Sequence, residues 1–480
     1  MILDLDTRAD LTLDFYRQVA WEGAGLRFTD GAMKRMAEAR TAFMRLIEDP
    51  DLVIYGVTSG YGQHAKLRFD GEARLRHART PPFPCTAPFG RPAPERVARG
   101  IILSRLANFV DGHSAATPAL AVEIANLLNG GKCPEVALEG QGGAGEILWM
   151  GPLIIAIAER FPLAEKDALA LINGSPAASA LIADAAIAMR RRLDLSERVM
   201  ALSAEAIKAP LEAYDAAFEE LWEDPHEAAS LRRLRELLAG GSRERRPYQA
   251  PVSYRILPRV LGQFRRTVVQ AEEIAESSLR SITDNPVFLA PDAAHPKGRV
   301  YSNGGYHNAR AYPALDNLAA AAADLCAIAE RHTTKLLDGR YSLLPDQLQV
   351  DNGYQGYLGV LGFVQVGYAE QARRAAQRTF LPGSEGGGFG QNDVAPLTGL
   401  AWMAQEEAGR CLEAALAMLG VVASQAFHVT NRAAPPALAS LLEEIRGAFP
   451  PLTAPRVYAP GLAALAEKFH AGIYAGTSST

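Results

Sequence analysis

The sequence predicts an all-α fold, a long central helix bundle preceded by an N-terminal loop-rich domain. Three observations predict it. Ala/Leu-rich stretches with apolar residues at helical spacing cover 256–281, 313–337, 354–380 and 397–426, and helices of that length with few caps are those of a bundle. Strand signals are sparse; PVFLAP (286–291) and RVYSNGG (299–305) are the pair placed to form a hairpin. Glycine and proline cluster early, as in ARTPPFPCTAPFGRPAP (78–94), where prolines lack the amide hydrogen and block a helical turn.

The elements follow in order. Residues 1–185 mix short helices with loops and read as an N-terminal domain; from 95, ERVARGIILSRLANFVDGHSA has helical spacing. Residues 186–426 read as the central bundle. Within them 186–240 are charged and helical, and the SRERR run (242–246) reads as a solvated loop. The Met and Ala stripes of 397–426 read as bundle core, and 427–480 as a C-terminal helical extension. No repeat of 20–50 residues is present.

Bulk properties narrow the function. A chain of 480 residues is longer than one hydrophobic core usually holds, so subdomains are expected. It is 48% hydrophobic and 21% charged, an ordinary globular composition. A net charge of −5 indicates no basic face for nucleic acid. Cys85, Cys133, Cys326 and Cys411 are scattered with no CxxC pair; they read as free buried thiols in a reducing compartment, and no metal site is expected. The start, MILDLDTRAD, has no apolar signal segment, and the longest apolar runs are broken by charge, Gly or Pro. A cytoplasmic protein with no membrane span is the expectation.

Four segments differ from bundle filler. YGVTSGYGQ (55–63) sets Tyr55 among Gly56, Gly60 and Gly62, the composition of a shaped loop that presents a side chain. EGQGGAGEILWMGPL (139–153) is a second glycine cluster leading into an apolar helix. ALINGS (170–175) interrupts an apolar run with Asn173. PVSYRILPRVLGQ (251–263) places Arg255 among apolar residues.

In order and spacing these segments resemble the aromatic amino acid ammonia-lyase superfamily, histidine ammonia-lyase most of all. YGVTSGYG is similar to its tyrosine loop, ALINGS to its LxNGT segment, and VSYRILPRVLG to YSLRCxPQVxG. GRPAPERVARGIILSRLANFVDGHSA resembles its long helix. SITDNPVF and NGGYHNARAYPALD resemble TDNPLF and GNFHGxPVAxxxD. The matches run from about residue 28 to 425. The resemblance implies an ammonia-lyase-like all-α fold and a homotetramer whose active sites draw Tyr55, Arg255 and Tyr306 from different chains.

One departure bears on the chemistry. The family builds an electrophilic methylidene-imidazolone by cyclising an internal Ala-Ser-Gly, the serine losing water. The gapless match here is Ala144-Gly145-Glu146, a shift by one gives Gly143-Ala144-Gly145, and neither holds a serine, none occurring between Ser114 and Ser175. Ala144 and Gly145 thus stand at the lost cofactor's position, and no cofactor is expected. The resemblance implies that Tyr55 is the general base, Arg255 the clamp for a substrate carboxylate, and Asn173 a hydrogen bonder beside it. A phenol ionises near pH ~10 and needs tuning to act as a base; a guanidinium is the natural bidentate carboxylate partner.

The family's electrophile improves an amine as a leaving group. A quaternary ammonium needs no such help, because it carries a fixed charge and departs as a neutral tertiary amine. The expected reaction is therefore loss of trimethylamine from an α-trimethylammonio acid, in the manner of ergothionases, lyases that split the betaine of 2-thiohistidine. His77, in HARTPPFP, matches a ring-contacting histidine, while Asn392 stands where the histidine-specific glutamate would be and Val252 replaces a tyrosine. Tyr306, and Tyr61 or Phe389, are the candidate aromatic faces for the cation, and Glu146 a candidate counter-charge.

Each residue also has a plainer reading. Tyr55 and Tyr306 can be packed aromatics, Arg255 a structural ion pair, Asn173 a cap, His77 a loop hydrogen bonder and Glu146 a complement to a helix dipole. Two other functions stay open: an ammonia-lyase or aminomutase of the same family, and a non-catalytic homologue that binds an amino acid derivative.

Overall fold

The computed structural model of the chain describes residues 1–350, 357–379 and 392–475. Among these the fold is all-α apart from two small sheets. β1 (Ile2–Leu5) pairs in parallel with β2 (Gly25–Phe28), Leu3 opposite Leu26. The sequence analysis misses this pair, because four residues are too few to show an alternation. Seven helices follow: α1 (Asp30–Leu46), α2 (Gly71–Arg79), α3 (Glu95–Val110), α4 (Pro118–Asn126), α5 (Gly151–Ala158), α6 (Asp167–Ile172) and α7 (Pro176–Ala206). After α8 (Pro225–Leu238) and α9 (Leu257–Leu279) comes the expected hairpin. Its strands are β3 (Val287–Leu289) and β4 (Arg299–Tyr301), with Phe288 opposite Val300. The chain ends with α10 (Ala311–Leu337), α11 (Val360–Ala375), α12 (Thr398–Val429), α13 (Ala439–Ala448) and α14 (Ala459–Tyr474).

Two compact units form, and they are not the three consecutive stretches expected. The first takes residues 1–187, 271–315 and 378–402; the second takes 188–270, 316–377 and 403–480. The chain passes from one unit to the other inside its longest helices, which composition cannot signal. The C-terminal helices belong to the second unit rather than to an extension of their own.

In the first unit α3 is buried from Val97 to Val110 without a break. The two arginines of that buried stretch, Arg99 and Arg105, are tolerated because they hydrogen-bond to carbonyls. Arg99 donates to Val19 and Ala24, both at 2.9 Å. Phe43 of α1 meets Phe288 of β3 edge to face, with centroids 5.8 Å apart, a geometry worth ~1 kcal/mol beyond burial.

In the second unit the SRERR run is only partly solvated: Arg243 and Glu244 are exposed, while the two arginines that follow turn inward. Arg245 pairs at 2.7 Å with Glu205, which is fully buried, and Arg246 is itself buried and lies over the Tyr248 ring. A buried carboxylate needs a partner, and this run supplies it.

Asp167–Ala206 and Thr398–Val429 are long and apolar enough to cross a membrane by length and composition, though the first is interrupted by Gly174 and Pro176 and the second by Glu413 and Gly420. Of those windows 89% and 83% are buried inside the fold, as in core helices. Cys85, Cys326 and Cys411 are buried free thiols; Cys133 is only partly buried.

Candidate active site

The loop carrying Tyr55 is tied at several points. The Ile54 amide donates to the Thr58 hydroxyl (2.8 Å), which donates to the Leu52 carbonyl (2.9 Å), and the Phe69 amide donates to the Thr58 carbonyl (3.1 Å). Its glycines answer to geometry. At Gly56, φ is +66° and a Cβ would stand 2.4 Å from the Leu169 Cδ1; at Gly60 it would stand 2.4 Å from the His64 carbonyl oxygen. The loop leaves Tyr55 half-buried, and its phenol oxygen accepts the Gly62 N–H at 2.8 Å.

Tyr55 faces a cavity of about 650 Å³ inside the first unit, together with Tyr61, Tyr306, Asn173, Asn285 and Asn392. The backbone of 142–145 and the Cys85 thiol complete the wall. Burial pushes that thiol up to about 11 and holds the Tyr61 phenol above its ordinary range. Among the described residues of the wall none carries a carboxylate, ammonium or guanidinium.

The structure brings together most, not all, of the expected site. Tyr55, Tyr61, Asn173, Tyr306 and Asn392 line one cavity. Tyr55 and Tyr306 do so from one chain, where the resemblance implied different chains. Phe389 lies outside the described residues.

His77 is not in the wall. It packs beneath the tyrosine loop, 5.1 Å from the Tyr61 ring and 4.7 Å from Phe69. Burial lowers its imidazole, opposed by a backbone hydrogen bond to Gly56. In this chain its imidazole thus packs against the tyrosine loop.

Arg255 belongs to the second unit and does not line the cavity. It is exposed at the end of the one-turn helix Val252–Arg255, and its Nε donates to the Ala250 carbonyl at 3.0 Å. The turn is anchored by Tyr254, fully buried and stacked on His332 with centroids 3.7 Å apart; the Tyr214 hydroxyl donates to the Tyr254 carbonyl at 2.9 Å.

Asn173 ends α6 and is held by groups the sequence analysis did not single out. Its Nδ2 donates to the Asn285 carbonyl at 2.5 Å. Its own carbonyl accepts from Arg105, which also donates to the Ala170 carbonyl at 2.9 Å. With one Nδ2 hydrogen so engaged, Asn173 offers a ligand its side-chain oxygen as acceptor and its second N–H as donor. Arg105 is fully buried, and desolvation lowers it to about 10 against the pull of Asp284 and Glu146. Lys166 and Asp284, both fully buried, pair at 2.8 Å. Asn285 and Asp284 sit within the quoted SITDNPVF segment and Arg105 within the quoted helix. Their roles depend on contacts over 60 residues distant or more, which no local spacing reveals.

Glu146 is the main correction. Expected as a counter-charge in the site, it does not line the cavity and is only 3% exposed. Its backbone is left-handed, φ +50°, next to Gly145 at +71°; in a residue with a Cβ that costs ~1–2 kcal/mol. The side chain is thereby turned inward, and its Oε2 accepts the Ala178 N–H in the first turn of α7 at 2.8 Å.

Desolvation raises the Glu146 carboxyl to about 8, opposed by the Ala178 and Ala177 amides and by Arg105 from α3, which itself lies near Asp284. A raised carboxyl favours the folded state most at pH below its unfolded value of about 4.5, and that advantage is lost as pH climbs through 8. The Glu146→Gln variant lacks this titration. Its melting temperature is expected to rise relative to the parent between pH 5 and 8, then stay level, with a total of roughly a few kcal/mol at most. Thermal denaturation at pH 5, 6.5, 8 and 9 checks this, and a gap independent of pH contradicts it.

A family model described as aromatic amino acid lyase matches residues 11–159 and 153–447. A histidine ammonia-lyase of Streptomyces avermitilis is 30% identical over 393 residues, covering 75% of this chain and 75% of that protein. An ergothionase from Treponema denticola, solved in complex with desmethyl-ergothioneine sulfonic acid, has a TM-score of 0.89 at 17% identity over 99% of both chains. A tyrosine aminomutase from Streptomyces globisporus has a TM-score of 0.86 at 22% identity, over 99% of this chain and 98% of that one. At those identities the two structures show a shared fold.

Proposed function

Since the chain belongs to the aromatic amino acid lyase family, we propose that it is a carbon–nitrogen lyase expelling trimethylamine from an α-trimethylammonio acid with an imidazole-type ring. The observation that carries this is the cavity wall. Its described side chains include three tyrosines and three asparagines and none with a formal charge. A quaternary ammonium has no N–H to satisfy and is attracted to aromatic faces, by ~0.5–2 kcal/mol each. A primary ammonium in the same place needs charged or strongly accepting partners.

The family's cofactor does not fit this chain. Forming the methylidene requires a hydroxyl that can leave as water, and no serine lies between 114 and 175. Where the tripeptide would be stands Glu146, whose carboxyl is engaged with the amides of α7. No step is therefore routed through it.

Tyr55 takes a proton from the substrate Cβ. The Gly62 N–H, donating to the same oxygen, is placed to favour negative charge there. The C–H electron pair becomes the Cα=Cβ bond, the Cα–N bond breaks, and trimethylamine leaves with its electrons. The products are an α,β-unsaturated acid, trimethylamine and the proton on Tyr55, which passes to solvent or to the amine. Asn173 offers an acceptor oxygen beside the reacting carbons. Arg255, exposed in its own unit, supplies the carboxylate clamp in another copy of the chain, within the homotetramer the resemblance implies. The Treponema denticola ergothionase, similar over its full length, supports the substrate class. The histidine ammonia-lyase relative supports the second reading, deamination of a free amino acid.

Purified protein incubated separately with ergothioneine, hercynine and histidine decides between them. Release of trimethylamine with a new conjugated-acid absorbance from at least one betaine, insensitive to borohydride, is expected. Turnover of histidine alone overturns the proposal. Binding without turnover of any of the three makes the chain a non-catalytic homologue.

A further inference from the structure

Between Gly142 and Leu148 every residue but one lines the cavity, and that one is Glu146. Three of the four residues 143–146 have left-handed backbone: Gly143 at φ +87°, Gly145 at +71° and Glu146 at +50°. The turn lies against a cavity tyrosine, since a Cβ on Gly145 would stand 3.7 Å from the Tyr306 ring. The two glycines leave such a turn free to take other shapes, so something else must hold it.

That role falls to the Glu146 carboxyl. The first turn of α7 has unpaired amides and the positive end of the helix dipole. It carries no acidic residue of its own, and the Oγ of Ser175, the residue before the helix, has no hydrogen-bond partner among the described residues. The cap comes instead from Glu146, 32 residues away in sequence, through the Ala178 amide. The bond thus joins the buried start of a long helix to the turn that shapes the cavity.

We propose that Glu146 is a positioning residue: by capping α7 it holds the 143–146 turn, and with it the cavity wall against Tyr306, in a single shape. In a chain that lacks the serine its relatives cyclise, a hydrogen-bonded carboxyl takes over the stiffening that a covalent ring provides. This rests on the cavity being the substrate site proposed above, but its main test does not require turnover.

Hydrogen exchange is measured on the full-length protein and on Glu146→Ala, Glu146→Gln and Glu146→Asp. Loss of the anchor in Glu146→Ala is expected to speed exchange at least 10-fold in peptides covering 143–150 and the first turn of α7, leaving α1 and α14 unchanged. Gln keeps the length and an accepting oxygen and is expected to stay within 3-fold of the parent. Asp keeps the carboxyl but is one methylene short, and is expected to exchange like Ala. Unchanged exchange in Glu146→Ala overturns the proposal. If Glu146→Ala does not fold, Asp and Gln decide, and rescue by Asp but not Gln overturns it, because the carboxyl group rather than its reach would then matter.

Where a betaine is turned over, Glu146→Asp is expected to raise KM more than it lowers kcat, with Gln restoring KM. A lowered kcat at unchanged KM also overturns the proposal. If no betaine reacts, the exchange results still stand, so failure of the substrate reading and failure of this one are separately visible.

Discussion

Tyr55→Phe is expected to lower kcat for betaine cleavage by ~10³-fold while changing KM by less than about threefold. The phenyl ring keeps its place in the cavity wall and its face toward the cation, so binding persists. What disappears is the oxygen that receives the β-proton, along with the Gly62 N–H bond to it. That bond contributes ~1 kcal/mol, too little to unfold a chain whose loop is also tied through Thr58 and Phe69. Steady-state kinetics together with a circular dichroism melt separate the two effects. A variant that retains more than a tenth of parental kcat places the base elsewhere.

Arg255→Ala is expected to lower kcat/KM by ~10²-fold, mostly through KM, with Arg255→Lys recovering only part. A bidentate guanidinium–carboxylate contact is charge-assisted and geometrically fixed, whereas an ammonium restores the charge without the fork. The fold is not at risk, because Arg255 is exposed and the buried anchor of its turn is Tyr254. If sites draw Arg255 from a different copy than Tyr55, mixing the inactive Tyr55→Phe and Arg255→Ala proteins under subunit exchange regenerates some intact sites. Recovery of activity on mixing is the expected result. No recovery despite demonstrated exchange puts both residues in one chain's site.

Much of the site was legible before any coordinates. The Tyr55 loop declares itself because glycine is required where backbone approaches side chain, and Gly56 and Gly60 prove to be such places. Asn173 stands out as a polar interruption of an apolar run and does line the cavity. Asn285 was inside a quoted segment yet unremarked, because its carbonyl, not its side chain, holds Asn173. His77 matches a ring-contacting histidine by motif, and a motif match does not report that its imidazole packs on Tyr61 and Phe69 outside the described cavity wall. Glu146 was misread for a similar reason: φ +50° redirects its side chain away from the cavity its neighbours face.

By itself the sequence determined that the chain is a helical lyase-family fold and that its cofactor segment contains no serine to dehydrate. The helices follow from local period and the missing serine from residue type, while the family rests on the ordered motifs that resemble it; none of these needs spatial neighbours. Only the tertiary structure decided that Tyr55 faces a cavity whose described wall carries tyrosines and asparagines and no charged side chain, and that Glu146 caps α7 from 32 residues away. Side-chain direction at left-handed residues, and hydrogen bonds between distant segments, depend on how elements pack, and no local pattern carries that information.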